Sequence, residues 1–395
     1  MKYVLLAYLQ LMAERIRPDL SSAHFAELFM QNVPLLDVRA PVEFSTGAFP
    51  GAVNIPLLDD DQRHLIGLEY KAYGQPAAID LGMRLATPVI RAERLEQWQQ
   101  FTSNNPRGYL YCFRGGLRSR TTQQWLAESG FDYPLIRGGY KALRGYLLQQ
   151  RQALGGLNNI VLLGGVTGVG KTALIETLSN AIDIEGRANH RGSAFGKTFQ
   201  SQPAQIDWEN QITIDWMRCA ARTDEPILVE AESHLIGHIC LPQDLQEAMV
   251  RAPIVMLEAT MEERTERLYQ EYVVISLAHY KSINVDPWDA LYTSTLENIG
   301  RIKKRLGGPR YQNLTTLLTD AITDLQSRDD PSGFYLMIKT LLTEYYDPMY
   351  QHYQKQNQSR IIKRGNMLEI RAFLLDHAAG HNKAGIAPHA TAPLP

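Results

Sequence analysis

Two short segments of this 395-residue chain combine residue types and spacings that can do chemistry. The first is GYLYCFRGGLRSRT, residues 108–121, where an apolar and aromatic run ends in Cys112 and passes into Arg114, a glycine pair and Arg118. A thiol at the end of a strand, ahead of a glycine loop and a helix, sits where backbone N–H groups can point inward. The helix N-terminus adds partial positive charge, and Arg114 and Arg118 add full charges. Both effects lower a thiol's pKa and stabilise an anion at or near the sulfur. The pattern fits a thiolate that carries, or attacks, something anionic.

The second segment is IVLLGGVTGVGKT, residues 160–172. It places Gly165-x-x-x-x-Gly170-Lys171-Thr172 directly after an apolar strand and ahead of an amphipathic helical pattern. Gly165, Gly168 and Gly170 let backbone N–H groups approach phosphate oxygens, Lys171 supplies a point charge, and Thr172 can hold a magnesium ion. Such a loop recognises a diphosphate and not a base, so ATP, GTP or another diphosphate ester would fit. The strand ILVE in ILVEAES offers Glu230 or Glu232 as a magnesium partner. Glutamate is less usual there than aspartate, and no guanine-specifying Asn-Lys-x-Asp segment is found. A third stretch, HRGSAFGKT at 190–198, carries Arg191, Ser193 and Lys197, with Arg187 just before it. Its composition suits a further phosphate, an RNA backbone or a solvated turn equally.

The elements that position these loops follow from patterning. VPLLDVRA (33–40), a short run Ala52 to Ile55 and GYLYC read as strands, with helices over about Val89–Thr102 and Arg120–Ser129. PLIRGGYKALRGYLLQQ then reads as a strand, a glycine turn and a helix. Alternation of this kind predicts a parallel sheet with helices on both faces. A Gly/Asn-rich break, LGGLNN (154–159), opens a second α/β series with strands at 160–164, 227–230 and 253–258 and a helix from Met261. From about Pro287 strand signals fade and helical patterns run to about residue 378. The expected domains are an N-terminal helical extension (1–24), a first α/β domain (25–150), a P-loop α/β domain (151–286), a helical region (287–378) and a disordered tail (379–395).

Resemblance narrows the chemistry. LLDVRAPVEF, GAFPGAVNIP, YLYCFRGGLRS and LIRGGYKAL together resemble a rhodanese domain, whose loop cysteine carries a transferable chalcogen. That likeness implies Cys112 as carrier, with Arg114 and Arg118 lining the loop, and Asp37, Arg39 and Glu43 holding the fold. Ala48 departs from the family, which often has histidine there. Cys112 to Arg118 also spells C-x5-R, the phosphatase signature in which arginine grips phosphate and cysteine attacks phosphorus. That rival lacks the usual histidine before the cysteine, where Tyr111 stands, and shows no evident general acid.

A rhodanese-like segment followed by GGVTGVGKT, RGSAFG, QPAQIDWENQ and YYDPMY closely resembles the bacterial tRNA 2-selenouridine synthases, as does the insertion GLEYKAYGQPAAIDLG (67–82). The resemblance implies an enzyme acting on tRNA whose wobble uridine already carries sulfur at carbon 2. It implies S-geranylation by geranyl diphosphate, then replacement of the geranylated sulfur by selenium from selenophosphate. Lys171 would assist release of the diphosphate, Cys112 would carry selenium or guide selenophosphate, and an enzyme producing selenophosphate would be a transient partner. RNA contacts could come from Arg187 and Arg191, from RIKKR (301–305) or from YYDPMYQHYQKQ (345–356). A P-loop ATPase or kinase fused to a sulfurtransferase or phosphatase is the competing reading.

Composition sets outer limits. The net charge of −2 excludes polycationic, whole-surface nucleic-acid binding, so RNA must be held by local patches. Three scattered cysteines, Cys112, Cys219 and Cys240, suit neither a disulfide framework nor zinc, and a reducing cytoplasmic setting is expected. The apolar start MKYVLLAYLQLM is too short to span a bilayer, no later segment is apolar enough, and Met12 is a second candidate start.

Overall fold

The computed structural model describes residues 17–154, 159–193, 195–222 and 225–380. The chain divides into two compact units, one of residues up to 155 together with 203–218, the other of 156–202 and residues from 219 onward. The first sixteen and last fifteen residues, where the helical extension and most of the disordered tail are expected, lie outside the described residues.

In the first unit three short strands, β1 (Leu35–Asp37), β2 (Ala52–Asn54) and β3 (Tyr109–Tyr111), form a parallel sheet in the order β2-β1-β3. Leu110 and Leu135 make a further parallel bridge, and Ile136 makes another to Leu20. The strand expected at PLIR is thus reduced to isolated bridges. Leu20, grouped above with the extension, belongs to this sheet edge because its buried side chain packs with Phe25, Ile136 and Leu143. Parallel strands are covered on both faces, and here Trp98, Trp125 and Leu126 fill one side while Phe49, Tyr111 and Leu143 fill the other.

The insertion at 67–82 lies in a long helix, Asp60–Leu85, capped by Asp59 and broken at Gly74, whose φ of 84° is followed two residues later by Pro76. Residues 203–218 were expected in the P-loop domain, yet they complete the first unit. Their helix, Gln205–Arg222, buries Ile214 and Met217 in its core. The same helix holds the backbone of Ala48. Its backbone N–H donates to Asp207 at 2.5 Å and its carbonyl accepts from Asn210 at 2.7 Å, with the alanine 8% exposed.

The second unit is built on β4 (Ile160–Gly164), β5 (Ala181–Ile182), β6 (Ile227–Glu230), β9 (Ile254–Leu257) and β10 (Ile361–Gly365), all parallel in the order β10-β9-β4-β6-β5. A small hairpin, β7 (Leu235–Ile236) with β8 (Ile239–Cys240), stands apart. Strand β4, which feeds the phosphate loop, is central and buried along its whole length. Strand β10 falls inside the stretch expected to be helical throughout. IIKRG is a half-buried edge strand whose lysine and arginine mask the apolar alternation, and it is fixed by register against Ile254–Leu257. The remaining C-terminal helices pack on their own core, with Leu291, Ile299, Leu318, Phe334 and Leu342 at its centre.

Candidate functional site

The cysteine loop lies in the first unit, at the C-terminal end of β3, where open α/β sheets bind ligands. The Cys112 carbonyl accepts from Tyr140 N–H and that of Phe113 from Lys141 N–H, both at 2.9 Å. These bonds lash the loop to the Gly139–Leu154 helix. The lash requires Gly139, whose φ is +57° and where a Cβ would meet the Cys112 carbonyl oxygen at 2.2 Å. The helix after the loop, Leu117–Glu128, has no side-chain cap on its first N–H groups, which leaves them to an anion or water. In its first turn Ser119 is wholly buried and its hydroxyl has no protein partner. Sequence reasoning missed this serine, although its place directly after Arg118 was the available signal.

The loop's charges are arranged unequally. Arg114 is exposed and lies 5.9 Å from the Phe113 ring centroid. Arg118 is drawn into a two-point ion pair with Glu43, at 2.5 and 3.2 Å. Burial pulls the Arg118 pKa down, but the Glu43 hydrogen bond and charge, with smaller contributions from Cys112 and Asp37, hold it above its ordinary value. Cys112 itself is only 3% exposed, so its sulfur is nearly covered. Asp37 and Arg39 form a fully buried pair that donates onward to the Gly47 carbonyl at 2.8 Å, and Arg39 stacks on Tyr140 at 4.0 Å. Beside the loop, Leu117, Arg118 and Trp125 wall an apolar cavity of about 370 Å³. Arg94 also lines it, with one buried guanidinium nitrogen lacking a partner.

The phosphate loop of the second unit is held open by groups outside it. Arg264 donates to the Thr167 carbonyl at 2.9 Å, and Arg267 to those of Gly168 and Val169 at 3.1 and 3.0 Å. Turning carbonyls outward leaves N–H groups for the loop's interior. Arg264 is itself fixed by Asp347 through two bonds of 2.6 and 3.1 Å. Asp347 belongs to YYDPMY, so that stretch braces the loop, while Tyr345 and Tyr346 are buried in the helical core. Gly170 adopts the left-handed conformation, φ 93°, at the start of the helix Lys171–Ile175. This helix is shorter than its pattern suggests, and just past its end the Thr177 hydroxyl donates to the Leu174 carbonyl at 2.7 Å.

Three glutamates gather around Lys171. Glu232 lies 3.8 Å from its ammonium. Glu230 accepts the N–H groups of Ile184 and Glu185 through one oxygen and leaves the other buried without a partner. Glu185, absent from the sequence-derived set, is buried, and burial together with its hydrogen bond to Glu232 pushes its pKa well up. Burial and the nearby Asp183 do the same to Glu230. Burial lowers the Lys171 pKa, but Tyr350 and the three glutamates more than offset this, so the net shift is upward.

The stretch at 190–198 folds over the same pocket. His190 and Lys197 form an antiparallel bridge, and Arg191 N–H donates to the Gly196 carbonyl at 2.8 Å. Arg191 and Ser193 line the pocket with Gly168, Gly170, Lys171 and Thr172. Arg191 also pairs with Glu271 at 3.0 Å. Lys197 is exposed, and Arg187 ends the short helix Ile184–Arg187 outside that pocket lining. Of the other basic run, Ile302 is buried while Lys303, Lys304 and Arg305 face solvent.

Among the described residues no three His, Cys, Asp or Glu side chains form a metal-holding group, and no helix is long and apolar enough to cross a membrane. Comparison with known proteins matches residues 22–145 to the rhodanese-like domain family and residues 158–381 to the tRNA 2-selenouridine synthase AAA domain family. The tRNA 2-selenouridine synthase of Marinobacter nauticus is 45% identical over 88% of this chain and 95% of its own length. That of Cupriavidus necator is 44% identical over 92% and 99%, and that of Pseudomonas syringae pv. tomato 43% identical over 91% and 99%. With both loops intact and alignment spanning nearly the whole of each relative, the chain belongs to the tRNA 2-selenouridine synthase family.

Proposed function

We propose that this chain is a tRNA-modifying transferase that converts wobble 2-thiouridine to 2-selenouridine in two steps, using geranyl diphosphate and then selenophosphate. The observation that carries the reading is the presence, in one chain of this family, of a diphosphate-gripping loop with its lysine and an anion-receptive cysteine loop. Each suits one half of the chemistry.

In the first half the thiouridine sulfur attacks carbon 1 of geranyl diphosphate. The C–O bond breaks, diphosphate leaves, and the uridine N3 proton is lost. Charge develops on the leaving diphosphate, and Lys171 with the inward N–H groups of 165–172 stabilises it where it forms. Thr172 with Glu230 or Glu232 would hold a magnesium ion that neutralises diphosphate charge. The unpartnered oxygen of Glu230 fits that use, since magnesium takes few protein ligands and leans on phosphate and water.

In the second half selenium from selenophosphate adds at carbon 2 and geranyl thiol departs, with the phosphoryl group passing to water. Alkylation turns a poor leaving group into a good one, and no oxidant or reductant is needed. The uncapped helix start, the Ser119 hydroxyl and Arg118 support recognition of a small selenium-bearing anion, and the covered Cys112 sulfur favours a donor of that size. Selenium would be delivered from this loop as the intact selenophosphate anion held beside the Cys112 sulfur, with no S–Se bond formed.

The test is nucleoside mass spectrometry on 2-thiouridine tRNA incubated with the protein and both donors. Sequential appearance of geranylated and selenated nucleosides supports the reading. Unmodified tRNA together with tRNA-independent ATP turnover would replace it with the P-loop ATPase alternative.

A further inference from the structure

The phosphate-loop pocket continues into a second space within the same unit. Thr167, Arg191, Leu268, Glu271 and Tyr272 line both the pocket and an adjoining chamber of about 250 Å³. The chamber's buried side is hydrocarbon and aromatic: Phe334 and Leu342 are wholly buried, and Val273, Met337 and Ile338 are nearly so. Phe195, from the 190–198 stretch that the diphosphate chemistry leaves unexplained, adds another wall.

Two features mark this space as a built site. Protein interiors are close-packed, and a void lined by apolar groups forfeits their contacts. Two π-helical turns, Gln270–Val274 and Leu342–Tyr346, also border it and contribute Tyr272, Val273, Leu342 and Tyr346. Such turns are rare and concentrate at functional sites. Arg191 stands at the junction, paired with Glu271 and lying over the Tyr272 ring at 5.2 Å. Charge stands at this junction and on the exposed Lys197, Glu297 and Arg301 that also line the chamber, and the hydrocarbon forms its buried side.

We infer that this chamber holds the hydrocarbon chain of a prenyl diphosphate whose diphosphate lies on the 165–172 loop, and that its buried wall limits chain length. The inference rests on the proposed geranylation and assigns the residues that would select the donor. Its volume falls just below the roughly 300–1,000 Å³ of ordinary small-molecule pockets, which favours a short chain over a long one.

The experiment compares binding of geranyl diphosphate and inorganic diphosphate to the full chain by calorimetry, with geranylation of 2-thiouridine tRNA assayed alongside. Each buried methylene adds roughly fourfold in affinity, so wild type should prefer the geranyl ester by at least about 100-fold. Ser294 is half-buried on the chamber wall. Ser294→Trp fills the space and should cut that preference at least about tenfold, leaving inorganic diphosphate binding, the control for folding, within about twofold. Ile338→Ala enlarges the space and should move preference about tenfold toward farnesyl diphosphate. If wild type geranylates tRNA but Ser294→Trp keeps the full preference, the chamber is not the chain site while the proposed function stands. Ile79 lines the first unit's apolar cavity, and loss of preference in Ile79→Trp instead would assign the hydrocarbon to that cavity, with the same consequence. If wild type binds both ligands equally and makes no geranylated nucleoside, the proposed function itself fails and the inference goes with it.

Discussion

Arg118, the last residue of the cysteine loop's C-x5-R spacing, is locked to Glu43 by two charge-assisted bonds at 2.5 and 3.2 Å. Glu43 in turn caps the Pro41–Thr46 helix through the Ala40 N–H and meets Arg63 at 3.2 Å. A phosphatase-type arginine would need its fork free for phosphate. Here the fork is already occupied, so Arg118 contributes positive field near Cys112 more than a vacant bidentate grip. Glu43, which sequence resemblance assigned to the fold, bears directly on the loop.

Glu43→Gln should therefore act on both stability and selenium entry. It leaves a partly buried guanidinium without its counter-charge, at a cost of about 1–3 kcal/mol. Thermal melting should show the loss. Selenation of pre-geranylated tRNA should change severalfold, while geranylation stays near wild type. Equal losses in both steps would mean that Glu43 serves the fold alone.

Gly139→Ala tests the lash between the loop and its neighbouring helix. The new Cβ would press on the Cys112 carbonyl at 2.2 Å and on Gly115 N at 2.5 Å, both backbone atoms, at a φ that alanine tolerates poorly. We expect about 2–4 kcal/mol of destabilisation and loss of selenation. Chemical denaturation and the nucleoside assay would read the two effects, and a wild-type melting curve would show that the loop can shift without cost.

The two loops should separate genetically. Lys171→Ala removes the charge that faces the leaving diphosphate and should slow geranylation by at least about 100-fold. Cys112→Ala should allow geranylation and block selenium entry. The informative measurement is the nucleoside that accumulates: 2-thiouridine in the first variant and geranylated 2-thiouridine in the second. Selenouridine formed by Cys112→Ala at the wild-type rate would remove the sulfur from the mechanism.

Both loops were legible in the sequence because each couples an apolar strand to a glycine-rich turn, a local and periodic signal. The parallel sheets followed from the same alternation. What could not be read is what reaches the loops from far along the chain. Arg264, Arg267 and Asp347 brace the phosphate loop from about 100 and 180 positions away, and no local pattern distinguishes them from solvated charges. Glu185 was hidden similarly, since its burial depends on β6 and the 190–198 stretch folding against it. Strand β10 was missed because its edge position lets it carry Lys363 and Arg364, which erase the period-two signal. The family resemblance supplied the chemistry that neither loop specifies alone.

The buried glutamates make a prediction about pH. Glu185 and Glu230 have folded-state pKa values above the ordinary 4.5, with burial the leading cause in both. A carboxyl with a raised folded pKa holds its proton in the native state after the unfolded chain has released it. Native protein therefore binds more protons than unfolded protein above pH 4.5, and stability falls as pH rises through that window. Lys171 is raised from 10.5, so its contribution is lost only at still higher pH and does not mask the slope. Glu185→Gln removes one such ionisation while keeping the shape and a hydrogen bond to Glu232. Its melting temperature should fall less between about pH 6 and 9 than that of wild type. Inorganic diphosphate, which brings negative charge to the same pocket, should oppose ionisation of these carboxyls and so bind more weakly to wild type as pH rises across that range. Parallel melting curves for wild type and variant would show Glu185 ionised in the native state at neutral pH, and the diphosphate effect would then have to come from Glu230 alone.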